Sequence, residues 1–359
     1  MTTQPTWPFE RRADPPEVAR KQNSFDALRL LFALLVIIAH SYGLLNRADP
    51  FQVWTLLRYD LGKLGVTGFF AISGFLVTRS WLSHPDLVRF TLARGFRIVP
   101  AFFAALLFSV LIVAVEAPSA VEILTNSYTW RWVWRNGILV WHEFGTLMPG
   151  AFERNPLPNG ANGSLWTLTY ELRCYAAIAV FGLVTILSRR LGLYLLAGFL
   201  VVYYFKAVLD PKLGVRLFYY DLYLAFMTGM VIAARGYRPV GVLLGCVTLI
   251  AALIDAGNVP VKHAWFAPAQ IALAAVIVSL ANSTLLARLS FRSGDYSYGL
   301  FVYAFPLQQL VIANLADKAE PVLVCILTVL LTLPVAIASW HFLEHPALEW
   351  MRKITARMR

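Results

Sequence analysis

Apolar runs of close to twenty residues recur along the chain, separated by short polar and basic pieces. An α-helix needs about twenty mostly apolar residues to cross a bilayer. The pattern predicts an all-α fold, a polytopic transmembrane helical bundle with about ten membrane-spanning helices. The spans fall near 25–45, 64–80, 98–116, 164–187, 191–209, 216–234, 239–254, 265–283, 296–315 and 321–342. Segment 131–148 is apolar but broken by Arg135 and Glu143, and reads as a re-entrant or interfacial helix. The Pro/Asn/Gly-rich turn from Asn155 to Gly163 sets a helix start near Ser164.

The basic residues orient the bundle. Arg11, Arg12, Arg20 and Lys21 precede the first span, and Arg352, Lys353, Arg357 and Arg359 follow the last. Arg79, Arg89, Arg94 and Arg97 cluster after the second. Lys and Arg collect on the cytoplasmic side of membrane proteins, so both termini are expected to be cytoplasmic. The organisation is then a cytoplasmic tail over 1–24, one membrane domain over 25–345 and a basic cytoplasmic tail over 346–359.

Composition agrees: 58% of residues are hydrophobic and 14% charged, with a mean hydropathy of +0.63. The net charge of +11 is spread over topology-setting clusters, so no nucleic-acid partner is expected. Cys174, Cys246 and Cys325 lie in apolar segments without metal-ligand spacing, and no metal site is expected. No cleavable signal peptide is legible.

Against this background a few residues stand out. Arg29 and His40 lie in the first span, eleven residues apart. That is three helical turns, or about 16 Å on nearly one face. Ionisable groups inside a membrane are costly and mark function by default. The alternative is a pair that fastens this helix to its neighbours. Gly65, Gly68, Ser73 and Gly74 in the second span suit close helix packing. Arg94 and Arg97 share a helical face. They are either a positive-inside anchor or a phosphate clamp for a nucleotide-bearing donor such as coenzyme A.

Glu171 follows Ser164-Leu-Trp-Thr-Leu-Thr-Tyr170 and sits about two turns into its span. By the same counting His40 lies at a similar depth, so the two are expected to share a cavity, the carboxylate orienting the imidazole. The alternative is a structural pair of Glu171 with Arg173 or Arg29. Trp130, Trp132, Trp134 and Trp141 crowd the longest outer stretch. They read as an interfacial aromatic belt or as a platform for a sugar ring.

Taken in order, these patterns resemble the acyltransferase-3 family of integral-membrane acyltransferases. Phe25-Asp-Ala-Leu-Arg29 to His40 resembles its opening motif. Gly68-Phe-Phe-Ala-Ile-Ser-Gly-Phe-Leu76 resembles its second-helix signature, and Arg94-Gly-Phe-Arg97 its Arg-x-x-Arg motif. Ser164 to Tyr175 resembles its Ser-Leu-Trp…Glu segment. Ser297 to Pro306 and Phe342-Leu-Glu-His-Pro346 resemble its late motifs. His345 stands where the family often has Arg, and Thr169 where many relatives have Pro or Ser.

The resemblance implies a multi-pass protein of the bacterial inner membrane, here without an appended hydrolase domain. It implies transfer of an acyl group, usually acetyl, from acyl-CoA to a hydroxyl. The acceptor would be a surface or secreted glycan or its lipid-linked oligosaccharide precursor. Acetyl-CoA is a co-substrate, and no permanently bound cofactor is expected. His40 would act as general base or as acyl carrier. Arg29 would stabilise the oxyanion or position the donor, and Glu171 would orient a catalytic group or bind a sugar hydroxyl. Arg94 and Arg97 would hold the donor's phosphates. Trp166, Tyr170 and Arg173 are candidate acceptor-binding residues. The competing class is a transporter or flippase for a glycan or small polar solute, since buried Arg, His and Glu also suit a carrier. A third possibility is an acyltransferase fold kept as a sensor or scaffold.

Overall fold

The computed structural model describes residues 24–49, 60–138, 145–187, 217–235, 266–286 and 294–357. The expected spans at 191–209 and 239–254 lie outside them. Among the described residues the protein is a helical bundle without strands. Its helices are α1 (Phe25–Gly43), α2 (Leu61–Ser83), α3 (Leu87–Glu116), α4 (Ala120–Thr125), α5 (Ser127–Gly137) and α6 (Trp166–Leu187). They continue with α7 (Leu217–Arg235), α8 (Phe266–Asn282), α9 (Ser297–Leu315), α10 (Pro321–Ser339) and α11 (His345–Arg357). Among the described residues, five segments are long and apolar enough to cross a membrane: α1, α2, α3, α9 with the 3-10 turn after it, and the stretch from Pro321 to Arg357.

Small residues set the closest approaches, as the second-span pattern predicts. In α2, Gly74 lies against the backbone of Phe226 in α7. In return Gly229 of α7 faces α2, where a β-carbon would stand 2.8 Å from the Phe75 amide. Gly65 meets α1 in the same way, a β-carbon there falling 2.6 Å from the Phe32 carbonyl oxygen. Without these glycines the backbones could not approach, and packing rather than water exclusion holds membrane helices together.

Helix α9 is the most enclosed of the candidate spans. Pro306 interrupts it and cannot donate to the carbonyl of Val302 one turn earlier. The Asn162 side chain makes good the loss, donating from Nδ2 to that oxygen at 3.0 Å. Asn155 donates to both the backbone and the side-chain oxygen of Gln309, at 2.8 Å each. Gln309 itself donates to the carbonyls of Leu157 and Gly160. The segment before α6 is thus stitched onto α9, and α6 starts at Trp166, two residues past the predicted start.

The interrupted segment 131–148 begins as α5, a short two-faced helix. Trp132 is buried and donates to the Gly145 carbonyl, while Trp130 and Trp134 are exposed. Residues 139–144 of that segment lie outside the described residues.

Candidate active site

Helix α3 begins at Leu87, eleven residues before the predicted span, so Arg94 and Arg97 are helical and one turn apart. Their surroundings differ. Arg97 donates to Asp295 Oδ2 at 2.5 Å and lies 3.5 Å from Glu344 Oε2. Arg29 of α1 pairs with the same Asp295 oxygen. Asp295, just ahead of α9, also accepts from the Ser297 hydroxyl. Burial pushes its carboxyl pKa up, but the two guanidinium charges and the Ser297 hydrogen bonds outweigh it and hold the group well below the ordinary carboxylate value. Glu344 is buried in a wide π-turn (Trp340–Glu344) between α10 and α11, where Ser339 donates to it at 3.1 Å. One ionic cluster therefore joins α1, α3, α9 and the π-turn.

Arg94 is held differently. Its guanidinium lies 5.9 Å from the Phe90 ring and 5.8 Å from the Tyr175 ring. Its Nε is buried without a hydrogen-bond partner among the described residues. Of the two arginines, Arg94 is the one with capacity to spare for an anion.

Arg29, Arg94, Arg97, Glu171 and Tyr175 line a cavity of ≈ 100 Å³. Glu171 Oε1 accepts from the Ser73 hydroxyl at 3.1 Å and from the Tyr175 hydroxyl at 2.5 Å. It forms no ion pair with Arg173 or Arg29: Arg173 lies over the Tyr170 ring at 5.2 Å, and Arg29 belongs to Asp295.

A second cavity, of ≈ 360 Å³, lies toward the C-terminal end of α1. His40, Asp60, Lys63, Ser164 and Trp166 line it. The His40 ring meets Phe305 edge-on at 5.2 Å, and its Nδ1 is buried without a hydrogen-bond partner among the described residues. Asp60 is the carboxylate whose charge reaches His40. It also caps α2, accepting from the Lys63 amide at 2.7 Å. Trp166 stacks edge-on with Tyr170 at 5.6 Å, so the cavity has an aromatic flank. Tyr170 and Arg173 support that flank and line neither cavity.

The expectation that His40 and Glu171 share a cavity is not met. Glu171 lies one helical turn past Thr167, which lines both cavities, and that turn carries it to the far side. The carboxylates lining the histidine's cavity are Asp49 and Asp60, and Asp60 is the one whose charge reaches His40. Sequence reasoning also missed Asp295 and Glu344. Each sat inside a segment quoted as a motif or beside one, and a buried acid next to a span was the available signal.

An apolar helical bundle with buried ionisable groups lining its cavities has the make-up of a multi-pass membrane protein. Its family follows from comparison. Residues 22–341 match the family described as "Acyltransferase domain", and the chain belongs to this acyltransferase-3 family of membrane acyltransferase enzymes. It is 25% identical to an O-acetyl transferase of Shigella phage Sf6 over 336 residues, 90% of this chain and 95% of the relative. It is 25% identical to nodulation protein 10 of Rhizobium leguminosarum bv. viciae over 362 residues, 94% of this chain and 96% of that protein. No solved structure matches it significantly.

Proposed function

We propose that this protein is an O-acetyltransferase of the bacterial inner membrane. It takes the acetyl group from acetyl-CoA at the Arg94 end and delivers it to a glycan hydroxyl at the His40 end. The carrying observation is the pair of cavities within one bundle, one presenting an unpaired arginine edge and the other an imidazole beside a carboxylate and an aromatic flank. Arg89, Arg94 and Arg97 and the basic α11 lie at the Arg29 end of the bundle, which favours that end as cytoplasmic, where acyl-CoA is made. The printed name of the phage relative, an O-acetyl transferase, supports acetyl as the group moved.

Arg94 pairs with a donor phosphate, and Arg29 and Arg97, fixed by Asp295, keep the cavity electropositive. An imidazole nitrogen of His40 takes the proton of the acceptor hydroxyl as its oxygen attacks the thioester carbonyl carbon. The tetrahedral intermediate collapses, the C–S bond breaks and the ester C–O bond remains. The coenzyme A thiolate leaves and takes up a proton from water, and the His40 imidazolium returns its proton to water, which restores the base. Asp60 stabilises the imidazolium formed on the way. Trp166 offers a face to the apolar side of a sugar ring. Glu171, held by Ser73 and Tyr175, shapes the donor cavity.

The test is transfer of label from radiolabelled acetyl-CoA to a host glycan extract by membranes carrying the protein or His40→Ala at matched abundance. Label in glycan with the native protein alone is the expected result. Equal label in both refutes the role of His40. Solute accumulation without covalent modification would point to a carrier instead.

A further inference from the structure

The two cavities are separated by a wall one side chain thick. Val66 of α2, Thr167 of α6 and Phe301 of α9 line both cavities, one residue from each of three helices. All three are buried. Phe301 is held edge-on by Phe69, ring centroids 5.4 Å apart. Thr167 turns its hydroxyl back to the Ser164 carbonyl, at 3.3 Å. The wall therefore offers apolar surface to both sides. The ionisable groups lie beyond it: Arg29, Arg94, Arg97 and Glu171 in one cavity, His40, Arg47, Asp49, Asp60 and Lys63 in the other.

We propose that Val66, Thr167 and Phe301 form the partition across which the acyl group is handed, and that Phe301 limits the reaction to short acyl chains. The inference rests on the acyltransferase reading above and adds the residues that set its selectivity. The acyl group is the only apolar part of the donor's reacting end, so it is the part that an apolar wall admits while charged groups stay on their own side. A wall this thin is crossed by a two-carbon group. The donor cavity is small, ≈ 100 Å³, so each methylene added to the acyl chain presses it further against the Phe301 ring. The same wall keeps water of the acceptor cavity from reaching the thioester. Phe301 is its largest member, which makes it the residue whose size decides.

The experiment compares acetyl-CoA with butanoyl-CoA as donors to a host glycan extract, using membranes with the native protein, Phe301→Leu, Phe301→Ala and Val66→Ala. Val66→Ala thins the wall from another helix, so the test survives poor folding of the Phe301 variants. The native protein is expected to prefer acetyl. Each thinned variant is expected to raise the butanoyl-to-acetyl ratio of kcat/KM by about tenfold or more, the scale of discrimination for a methylene or two in an apolar pocket. Acetyl transfer at an unchanged ratio in Phe301→Leu and Val66→Ala overturns the partition and leaves the acyltransferase reading intact. So does loss of acetyl transfer in all three variants at native abundance. Failure of the native protein to transfer acetyl at all refutes the underlying reading, and the partition with it.

Discussion

Replacing Asp295 by Asn should be among the most damaging single changes in this protein. Asp295 accepts from Arg29 and Arg97 through one oxygen, and the three side chains are 14%, 21% and 17% exposed. Two guanidiniums bonded to the same atom lie roughly 5 Å apart, where two like charges repel by about 3 kcal/mol at an effective dielectric constant of 20. Removing one partner of a buried pair costs on the order of 3–5 kcal/mol by a separate route, mutational experience with such pairs. Unfolding entropies of about 2 cal/mol/K per residue imply a shift of about 1.3 °C per kcal/mol for a chain of this length, hence a fall in Tm of about 4–7 °C. Thermal unfolding in detergent reads it directly. Because the folded-state pKa is depressed, the stabilisation is complete above the ordinary carboxylate range and is lost only as pH falls through the depressed value. Native Tm should therefore owe no slope to Asp295 between pH 5 and 8. Adding Arg29→Met to Asp295→Asn should recover part of the loss by removing one stranded charge. A Tm for Asp295→Asn within 1 °C of native would refute the reasoning.

Three further outcomes follow from the same structure. Arg94→Met should raise the KM for acetyl-CoA about tenfold with little change in Tm, while Arg97→Met should chiefly lower Tm; steady-state kinetics and melting together distinguish them, and the reverse pattern would misassign the pair. Asn162→Leu leaves the Val302 carbonyl unpaired beside Pro306 and should cost about 1–3 kcal/mol, seen as a Tm lower by a few degrees; an unchanged Tm would mean that another donor reaches that oxygen. Glu320→Gln breaks the exposed pair with Arg47 and should leave Tm unaltered, since exposed ion pairs add little; a clear drop in melting would contradict this.

The helical membrane bundle was legible because a bilayer demands long apolar runs and little else mimics them. The Gly-rich pattern of the second span was legible as packing, and Gly65 and Gly74 meet backbone as it implies. Arg29 and His40 could be picked out because each is costly where it stands. Their partners could not. Helical counting gives depth along one helix, but carries no information on which helices adjoin or on relative shifts of one turn. Glu171 was therefore placed with His40, although a turn past Thr167 puts it with Ser73 and Tyr175. Asp295 lies just ahead of α9, where nothing in the one-dimensional pattern marks it. Only tertiary packing shows that two arginines close on it. Arg94 and Arg97 looked equivalent by spacing, and the cluster of Asp295 and Glu344 is what makes them unlike.

The Arg29–Asp295 contact spans 266 positions of sequence, and this has a consequence for how the protein is made. At about 5–20 residues per second, the ribosome takes roughly 10–50 s to supply Asp295 after Arg29 has emerged. Through that interval the first helix sits in the membrane with an uncompensated arginine near one end. The long side chain can reach for headgroups and water meanwhile, which lowers the penalty without abolishing it. The helix that enters first can pack on α2 at Gly65 as soon as α2 follows it, but its ion pair waits on a residue late in synthesis. Truncated chains that stop before Asp295 therefore keep Arg29 without its carboxylate partner, a local difference between unfinished and finished protein.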